Sequence, residues 1–297
     1  MENLTNITVI RDIFERHGFS FSKNLGQNFL INPSVCPKIA EMGNARKGFG
    51  VLEIGTGVGV LTCELAKRAD KVAAVEIDSR LIPVLNETLA EFDNVKIINE
   101  DVMKADLAGI IAENFGGLKV AVCANLPYYI TSPVIMLLLE SRLPVESITV
   151  MVQKEAGKRL CAEMGTREAG AVTAAVRYYS EPKLLFNVSR GSFMPAPNVD
   201  SCVIRLDVKK EPPVSVSDEK LFFSVVRGAF GQRRKNLANS LSAAFNIPKG
   251  DMTEILRSAG VSENARPEQL KMEDFVAVAE SIGRYIDLIS IRTVDGK

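Results

Sequence analysis

Short runs of apolar residues alternate with segments of helical spacing along the first half of the chain. The apolar runs predict strands at 50–54, 71–77, 95–99, 119–124 and 147–153. Helical spacing predicts helices at 1–18, from the glycine turn after residue 54 to about 68, at 79–91 and at 133–140, while the polar segment 22–32 is typical of a loop. Short buried strands alternating with helices indicate a parallel sheet covered on both faces.

The pattern of apolar positions changes after about Tyr178. Two further apolar segments, 182–188 and 201–208, flank the proline-rich residues 193–198 and predict a hairpin that completes the sheet. The polar residues 209–213 include two prolines and indicate a linker. Beyond them only helical spacing remains, at 218–231, 233–245, 251–258 and 272–287. We therefore predict an α/β domain over 1–210 and a small all-helical domain over 211–297.

Composition excludes several classes of protein. No apolar run approaches the roughly 18–20 residues of a membrane helix, and the N-terminus lacks a secretory pattern, so we expect a cytoplasmic protein with no membrane partner. The five cysteines are far apart in sequence, and His17 is the single histidine. A metal site, or catalysis by a Ser-His or Cys-His pair, therefore has almost no suitable residues to draw on. Without heptads or an evident apolar patch, we expect a monomer.

Charge is distributed unevenly although the formal net charge is zero. Residues 1–150 contain 14 basic and 18 acidic side chains, whereas residues 151–297 contain 22 and 18. The stretch from 220 to 250 has no acidic residue and includes the cluster Arg233, Arg234 and Lys235. A basic cluster of this kind favours a polyanion, and we predict that it binds RNA phosphates.

A glycine-rich loop, Gly55-Thr56-Gly57-Val58-Gly59, lies between a predicted strand and a predicted helix. Glycines at this position allow a tight turn and a close approach of the backbone to a ligand. The spacing differs from the Gly-x-Gly-x-x-Gly of dinucleotide-binding proteins, in which a helix N-terminus holds a pyrophosphate. A ligand without phosphates, such as S-adenosylmethionine, fits the shorter loop better.

Acidic residues follow the next two predicted strands. Glu76 ends the second strand, where a carboxylate can accept hydrogen bonds from ribose hydroxyls. Asp78 is expected to cap the following helix instead. Asp101 follows the third strand and is placed to accept a hydrogen bond from the adenine amine of the cofactor. Because ligands of open parallel sheets bind at the edge formed by the strands' carboxyl ends, these residues predict a site for S-adenosylmethionine.

The segment Asn125-Leu126-Pro127-Tyr128 follows the fourth strand at the same edge. An exocyclic adenine nitrogen is a poor nucleophile because its lone pair is delocalised into the ring. Acceptors on its two N–H groups, the side-chain oxygen of Asn125 and the carbonyl of Leu126, favour tetrahedral geometry and free the lone pair for a methyl group. Tyr128 offers an aromatic face for a flipped base. This chemistry requires no histidine or cysteine.

Together these motifs resemble those of the rRNA adenine N6,N6-dimethyltransferase family, and most closely its KsgA branch. The N-terminal sequence Asn24-Leu25-Gly26-Gln27-Asn28-Phe29-Leu30 resembles the family's signature, Phe193 to Ser201 resembles its Phe-x-Pro-x-Pro-x-Val-x-Ser motif, and Gln232 to Lys235 lies in a stretch similar to that branch. Two departures are visible: Tyr129 stands where Asn is common, and Thr56 where Pro is usual.

The resemblance implies a Rossmann-like class I S-adenosylmethionine methyltransferase sheet. It also implies that two adjacent adenosines in a hairpin loop near the 3′ end of small-subunit (16S) rRNA are each dimethylated during subunit biogenesis. By the same resemblance, the cofactor contacts are Asn28, Leu30, Gly55, Glu76, Asp101 and Asn125. Phe193 is expected to help hold the target base, so that Asn125, Leu126, Tyr128 and Phe193 form the predicted catalytic set.

Three other functions remain open at this point. A resistance methyltransferase that acts on large-subunit rRNA shares the catalytic motifs, although the N-terminal signature and the Gln232–Lys235 stretch argue against it. An rRNA-binding assembly factor is the second, and the intact Asn125 and Glu76 argue against a loss of catalysis. An NAD-dependent oxidoreductase is the third; the loop lacks a glycine at the spacing that such enzymes require.

Overall fold

The computed structural model describes residues 3–19, 28–232 and 235–295. The chain divides into two compact units. The first contains Met1–Gly157 and Ser180–Lys209, and the second contains Lys158–Tyr179 and Lys210–Lys297.

The first unit is built on a mixed seven-stranded sheet. The strands of this unit are β1 (Phe29–Leu30), β2 (Phe49–Ile54), β3 (Lys71–Glu76), β4 (Val95–Asn99), β5 (Lys119–Asn125), β6 (Ser147–Gln153), β7 (Ser180–Val188), β8 (Phe193–Met194) and β9 (Ser201–Val208). The order in the large sheet is β4-β3-β2-β5-β6-β9-β7, in which neighbours from β4 to β6 are parallel and β9 is antiparallel to both β6 and β7. The predicted parallel sheet and its closing hairpin are confirmed.

Helices cover this sheet and bury its apolar strands. They are α1 (Ile7–Arg16), α2 (Val35–Met42), α3 (Val60–Ala66), α4 (Ile82–Thr88), α5 (Leu107–Phe115), α6 (Tyr128–Glu140) and α7 (Lys154–Leu160), the last of which continues into the second unit. Ile13 of α1 and Leu85 of α4 belong to one core cluster, and Ile39 of α2 and Leu65 of α3 to another. The continuous apolar runs of β2, β3, β5 and β6 are explained by burial on both faces.

Several local elements of this unit differ from the sequence prediction, which did not include helices α2 and α7. Helix α6 begins at Tyr128 rather than at Pro133, because Pro127 has the fixed φ that precedes a helix and Pro133 is tolerated inside it. Helix α5 was not predicted; the Asp106 side chain caps it by accepting the backbone N–H of Gly109. The loop predicted at 22–32 contains strand β1, and residues 20–27 of it lie outside the described residues.

The second unit is helical. Its helices are α8 (Ala171–Tyr179), α9 (Glu219–Phe230), α10 (Leu237–Phe245), α11 (Lys249–Ser258) and α12 (Met272–Asp295). The four helices predicted after residue 217 are all present. Helix α11 starts two residues early because Pro248, which was expected to break the chain, forms its N-cap. Helix α12 extends past the predicted residue 287 to Asp295.

The boundary between the units differs from the predicted division at 210/211 in one segment. Residues 158–179, which we placed in the α/β domain, group with the helical unit. The reason is an aromatic cluster: Tyr178 and Tyr179 of α8 pack on Phe222 and Phe223 of α9 with ring centroids 5.2–5.5 Å apart. Sequence spacing alone gave no sign of this packing. None of the helices in the described ranges combines the length and the apolar character that crossing a bilayer requires.

Candidate active site

The carboxyl ends of the parallel strands place the predicted site residues at one edge of the sheet. Ile54 at the end of β2 pairs with Val75 of β3 and Ala124 of β5, and Glu76 pairs with Asn99 of β4. The loops that follow these strands surround a cavity of about 310 Å³. Every residue predicted to bind the cofactor or to act on the base lines it: Asn28, Leu30, Gly55, Glu76, Asp101, Asn125, Leu126, Tyr128 and Phe193.

The glycine loop turns between β2 and α3 through left-handed backbone. Gly55, Gly57 and Gly59 have φ values of 76°, 58° and 88°, a region that residues with a Cβ rarely adopt. The N–H of Gly55 donates to the carbonyl of Val75 (2.8 Å), which fixes the start of the loop to the neighbouring strand. The glycines are therefore required by backbone conformation, and the loop brings main chain to the cavity wall.

Glu76 joins the glycine loop to the end of β3. Its Oε2 accepts the N–H of Gly57 and the hydroxyl of Thr56, both at 3.1 Å, and its Oε1 accepts the N–H of Asp78 at 2.9 Å. Burial raises the pKa of this carboxyl, and the three donors oppose the increase. A carboxylate offers about four acceptor positions, so one remains for a ligand hydroxyl. A second ligand hydroxyl can donate to Glu76 only after the hydrogen bond from the Thr56 hydroxyl is broken.

Asp101 and Asp78 differ in their environments. Asp101 follows β4 and is partly exposed at the cavity wall; its Oδ1 accepts the N–H of Met103 (3.0 Å), and its Oδ2 lies 3.7 Å from the ammonium of Lys104. Asp78 is buried, caps the 3-10 turn Ser79–Leu81, and accepts hydrogen bonds from the guanidinium of Arg80. The expectation that Asp78 acts as a cap is confirmed.

The segment from Asn125 to Tyr128 connects β5 to α6. Asn125 is the last residue of β5, and its side chain forms no hydrogen bond with the described residues, so its oxygen remains available as an acceptor. Pro127 is the N-cap of α6, and Tyr128 is its first residue. The Tyr128 hydroxyl lies 2.7 Å from Oγ of Ser201, and burial raises the pKa of the phenol, which therefore stays neutral near pH 7.

A two-stranded antiparallel sheet brings Phe193 to the cavity. Strand β8 pairs with β1, so that Leu30 lies opposite Phe193 and Phe29 opposite Met194. The carbonyl of Ser192 accepts the N–H of Ile31 (2.9 Å) and extends this pairing. The N-terminal signature and the Phe193 motif are more than 160 residues apart in sequence and become neighbours only through this small sheet.

Glu53 in the cavity wall and Ser201 behind Tyr128 carried no predicted role in the site. Glu53 lines the cavity from the interior of β2, is 1% exposed, and neither of its carboxyl oxygens has a hydrogen-bond partner among the described residues. Burial raises its pKa to about 8, the charge of Glu76 adds to this, and the nearby Thr62 hydroxyl opposes it without forming a bond of good geometry. The sequence signal that could have identified Glu53 was the presence of a charged residue inside the apolar run 51–54. Ser201, the second residue, is recognised only through its contact with Tyr128.

The basic cluster is only partly described. Arg233 and Arg234 lie outside the described residues, and Lys235 is an exposed residue of the helical unit two positions before α10. Its predicted contact with RNA therefore stays a prediction. The described ranges contain no group of three or more His, Cys, Asp or Glu side chains that could hold a metal ion.

A comparison with protein families decides the assignment. The sequence model of the family described as "Ribosomal RNA adenine dimethylase" matches residues 18–284. The chain belongs to this family. The resemblance drawn from the motifs is confirmed, and the cofactor of this adenine dimethylase is S-adenosylmethionine.

Curated relatives of the dimethylase match over nearly its whole length. Ribosomal RNA small subunit methyltransferase A of Alkaliphilus oremlandii is 46% identical over 287 residues, which cover 96% of this chain and 100% of that protein. The protein of the same name from Geobacillus thermodenitrificans is 48% identical over 278 residues, 92% of this chain and 94% of the other.

Solved structures resemble the dimethylase in fold. A dimethyladenosine transferase from Plasmodium falciparum is 27% identical with a TM-score of 0.70, covering 84% of this chain and 95% of that one. The 23S rRNA methyltransferase ErmE is 29% identical with a TM-score of 0.64, covering 86% and 99%. The predicted fold class, a Rossmann-like methyltransferase sheet with a C-terminal helical region, is confirmed.

Proposed function

We propose that this protein transfers methyl groups from S-adenosylmethionine to the N6 amines of two adjacent adenosines in a hairpin loop near the 3′ end of 16S rRNA. The observation that carries the proposal is that Asn125, Tyr128 and Phe193 share one cavity with the glycine loop and Glu76. The acceptor groups and the cofactor-binding groups therefore face a common space. The reaction takes place during small-subunit biogenesis.

The side chains that line the cavity are chemically suited to S-adenosylmethionine. Glu53 presents buried carboxyl oxygens without partners, and the positive charge of S-adenosylmethionine favours the deprotonated form of such a carboxyl. The remaining acceptor position of Glu76 suits a ribose hydroxyl, and the exposed side chains of Ile77 and Met103 offer apolar surface near Asp101 for an adenine ring. Asn28 and Leu30, from β1 and the residue before it, complete this wall. When bound, the cofactor supplies an electrophilic methyl group.

Asn125 and Leu126 position the amine. The free side-chain oxygen of Asn125 and the carbonyl of Leu126 accept the two N–H hydrogens and draw the nitrogen out of conjugation with the ring. Leu126 is 4% exposed, so its backbone lies in a region of low dielectric where such hydrogen bonds are stronger. The rate then depends on positioning and electrostatics, with no histidine or cysteine involved.

Tyr128 and Phe193 hold the base. Tyr128 is fixed by Ser201, and Phe193 by the pairing of β8 with β1, so neither ring must be ordered when the substrate enters. Loop bases of RNA are already partly unstacked, which lowers the cost of moving one into the cavity. For the second transfer, the monomethylated amine retains one N–H for one of the two acceptors.

The helical unit is proposed to bind rRNA. Its support is the acid-free stretch from 220 to 250, which includes the cluster Arg233, Arg234 and Lys235. The domains in this proposal are the catalytic domain at 1–210 and the rRNA-binding domain at 211–297, with the aromatic packing of α8 adding 158–179 to the second unit.

Small-subunit rRNA is the preferred substrate over large-subunit rRNA. Relatives named for the small subunit are 46–48% identical over at least 92% of the chain, whereas ErmE, named for 23S rRNA, is 29% identical. We further infer that the protein works in the cytoplasm, where ribosomal subunits assemble, and as a monomer. A role in assembly that needs binding alone is a second function, compatible with the first.

The decisive experiment is methylation of unmodified subunits followed by mass mapping of the RNA. Purified small and large subunits from cells that lack the modification are incubated separately with the protein and S-adenosylmethionine. Four methyl groups on two adjacent adenosines of 16S rRNA are expected, and none on the large subunit. Transfer to the large subunit alone would overturn the proposal.

A further inference from the structure

Tyr129 stands out among the aromatic residues of the described ranges because it is exposed. Its exposed fraction is 62%, whereas the other described aromatic side chains are buried or partly buried. It is also one of the residues that line the active-site cavity. An aromatic ring that is exposed to solvent at the entrance of a substrate cavity offers one face for contact with a substrate.

Tyr129 and its neighbour Tyr128 are arranged differently. Tyr128 is half-buried, and its hydroxyl is joined to Ser201. Because both residues belong to the first turn of α6, successive side chains diverge by about 100° around the helix axis, so the two rings do not share one direction. Tyr129 is therefore not a second wall for the base that Tyr128 holds.

Tyr129 follows a different strand from the other exposed apolar residues that line the cavity. Among the large apolar side chains of the described residues that are exposed, two others line the cavity, Ile77 and Met103. Those two follow β3 and β4, on the side of Glu76 and Asp101. Tyr129 follows β5, beyond β2 in the sheet order and directly after the segment that holds the amine.

A nucleotide next to the target base needs a new partner when the target leaves the stack. Moving a base out of a stack costs a few kcal/mol, part of which is the lost contact with its neighbour. An exposed aromatic ring replaces that contact regardless of base identity. Because the two substrate adenosines are adjacent, one of the two neighbours of the target is the other adenosine in both rounds of modification.

We propose that Tyr129 stacks on the base of the adenosine adjacent to the one in the cavity. The inference rests on the proposed function, since it requires an RNA substrate with two neighbouring target nucleotides. Tyr129 acts as a substrate-binding residue, and it contributes to the affinity for RNA and not to the affinity for the cofactor.

Substitution of Tyr129 tests the proposal through substrate affinity. Tyr129→Ala and Tyr129→Asn are expected to raise the KM for unmodified small subunits by about tenfold or more, because base–aromatic stacking contributes on that scale. Tyr129→Phe keeps the stacking face and should behave as wild type, and the Kd for S-adenosylmethionine should not change in any of them. Leu184→Ala, which removes an exposed apolar side chain of β7 outside the cavity, is the matched control.

A direct readout uses the absence of tryptophan from the chain. Tyr129→Trp introduces a single indole at the cavity entrance, and stacking on a base is expected to quench its fluorescence when an RNA hairpin with the two adenosines is added. Replacing the adjacent adenosine by an abasic nucleotide should remove the quenching. S-adenosylmethionine alone should leave it unchanged.

The outcomes separate this inference from the proposed function. Failure of the wild type to methylate small subunits refutes the proposed function. Methylation by the wild type combined with an unaltered KM in Tyr129→Ala, or with unquenched Tyr129→Trp, refutes only the stacking role. Quenching of Tyr129→Trp by the cofactor alone also overturns it, because the ring then contacts the cofactor.

Discussion

The hydroxyl oxygens of Tyr128 and Ser201 lie 2.7 Å apart and connect the start of helix α6 to the start of strand β9. Ser201 is fully buried and pairs with Gln153 of β6 and Val188 of β7. The Tyr128 ring, at the start of a helix, is thus anchored to the first residue of the strand that lies between β6 and β7.

Breaking this hydrogen bond tests whether it positions the ring. Tyr128→Phe leaves the Ser201 hydroxyl buried without its partner, and we expect a loss of unfolding free energy of about 1–3 kcal/mol. Ser201→Ala leaves the phenol unpaired but half-exposed, so the loss should be smaller. In the double variant both polar groups are gone, and stability should recover toward wild type. Denaturant titration of the four proteins measures the coupling.

Removal of the whole Tyr128 ring should reduce activity more than removal of its hydroxyl alone. Tyr128→Ala is expected to lower kcat/KM for small subunits by roughly 10- to 100-fold, on the scale of base–aromatic stacking. Tyr128→Phe should retain most activity. Equal activity of Tyr128→Ala and Tyr128→Phe would contradict a stacking role for this residue.

Glu76 is expected to control cofactor binding without affecting RNA binding. In Glu76→Gln the side chain keeps only one acceptor oxygen. The three donors from Thr56, Gly57 and Asp78 then no longer all have a partner, and no acceptor position remains for a ribose hydroxyl. We predict at least a tenfold increase in the Kd for S-adenosylmethionine, measured by calorimetry, because a hydrogen bond to a charged group contributes about 1.5–3 kcal/mol. The rRNA Kd should stay the same.

A matched substitution checks that the effect is specific to this carboxylate. Glu113→Gln removes an exposed carboxylate of α5 that pairs with Lys96, and it should bind the cofactor as wild type does. Unchanged cofactor affinity in Glu76→Gln, with the protein folded, argues against the assignment of this residue.

Glu53 gives a pH-dependent prediction whose sign follows from its raised pKa. The folded protein keeps this proton up to a pKa of about 8, whereas the unfolded chain releases it near the ordinary value of 4.5. Between these two values the folded state binds more protons than the unfolded state, so the contribution of Glu53 to stability falls as pH rises. Below about 4.5 it is fully present, and above about 8 no further loss occurs.

Glu53→Gln should remove this loss, because glutamine does not titrate. The stability difference between Glu53→Gln and the wild type is expected to grow by up to roughly 4 kcal/mol in favour of the variant from pH 4.5 to pH 8. Denaturant unfolding at several pH values measures it. A difference independent of pH means that the carboxyl titrates normally. The same variant should bind S-adenosylmethionine more weakly, because the Glu53 carboxyl can lose its proton beside a cationic ligand and attract it, whereas glutamine cannot.

The basic cluster gives a prediction about salt dependence. Replacing Arg233, Arg234 and Lys235 by glutamine should weaken rRNA binding and reduce the slope of log K against log salt concentration by about 2, because each phosphate contact contributes roughly 0.7–0.9 to the slope. The control replaces three exposed lysines of the catalytic unit that already pair with acids: Lys47, Lys96 and Lys119. If the cluster variant and the control behave alike, the cluster does not contact RNA.

Local signals explain why so much of the site was predictable. Gly55, Glu76, Asp101 and Asn125 each follow an apolar run, and parallel strands bring such positions to one edge whatever the details of packing. The helices after residue 217 were predicted for a similar reason, since their apolar spacing repeats along one face. Helix α5 was missed although its buried residues Leu107, Ile110, Ile111 and Phe115 recur at helical spacing, because alanines on its exposed face weaken the contrast between the two sides.

The acceptor groups, aromatic residues and carboxylates of the site, and the strand that each of them follows, can be predicted from the sequence alone. Which distant groups come into contact depends on the tertiary structure. The pairing of β1 with β8, the contact of Tyr128 with Ser201 and the packing of residues 158–179 on α9 join segments from 40 to more than 160 residues apart. Such contacts depend on side-chain packing and on the closure of long loops, and neither leaves a periodic pattern along the chain.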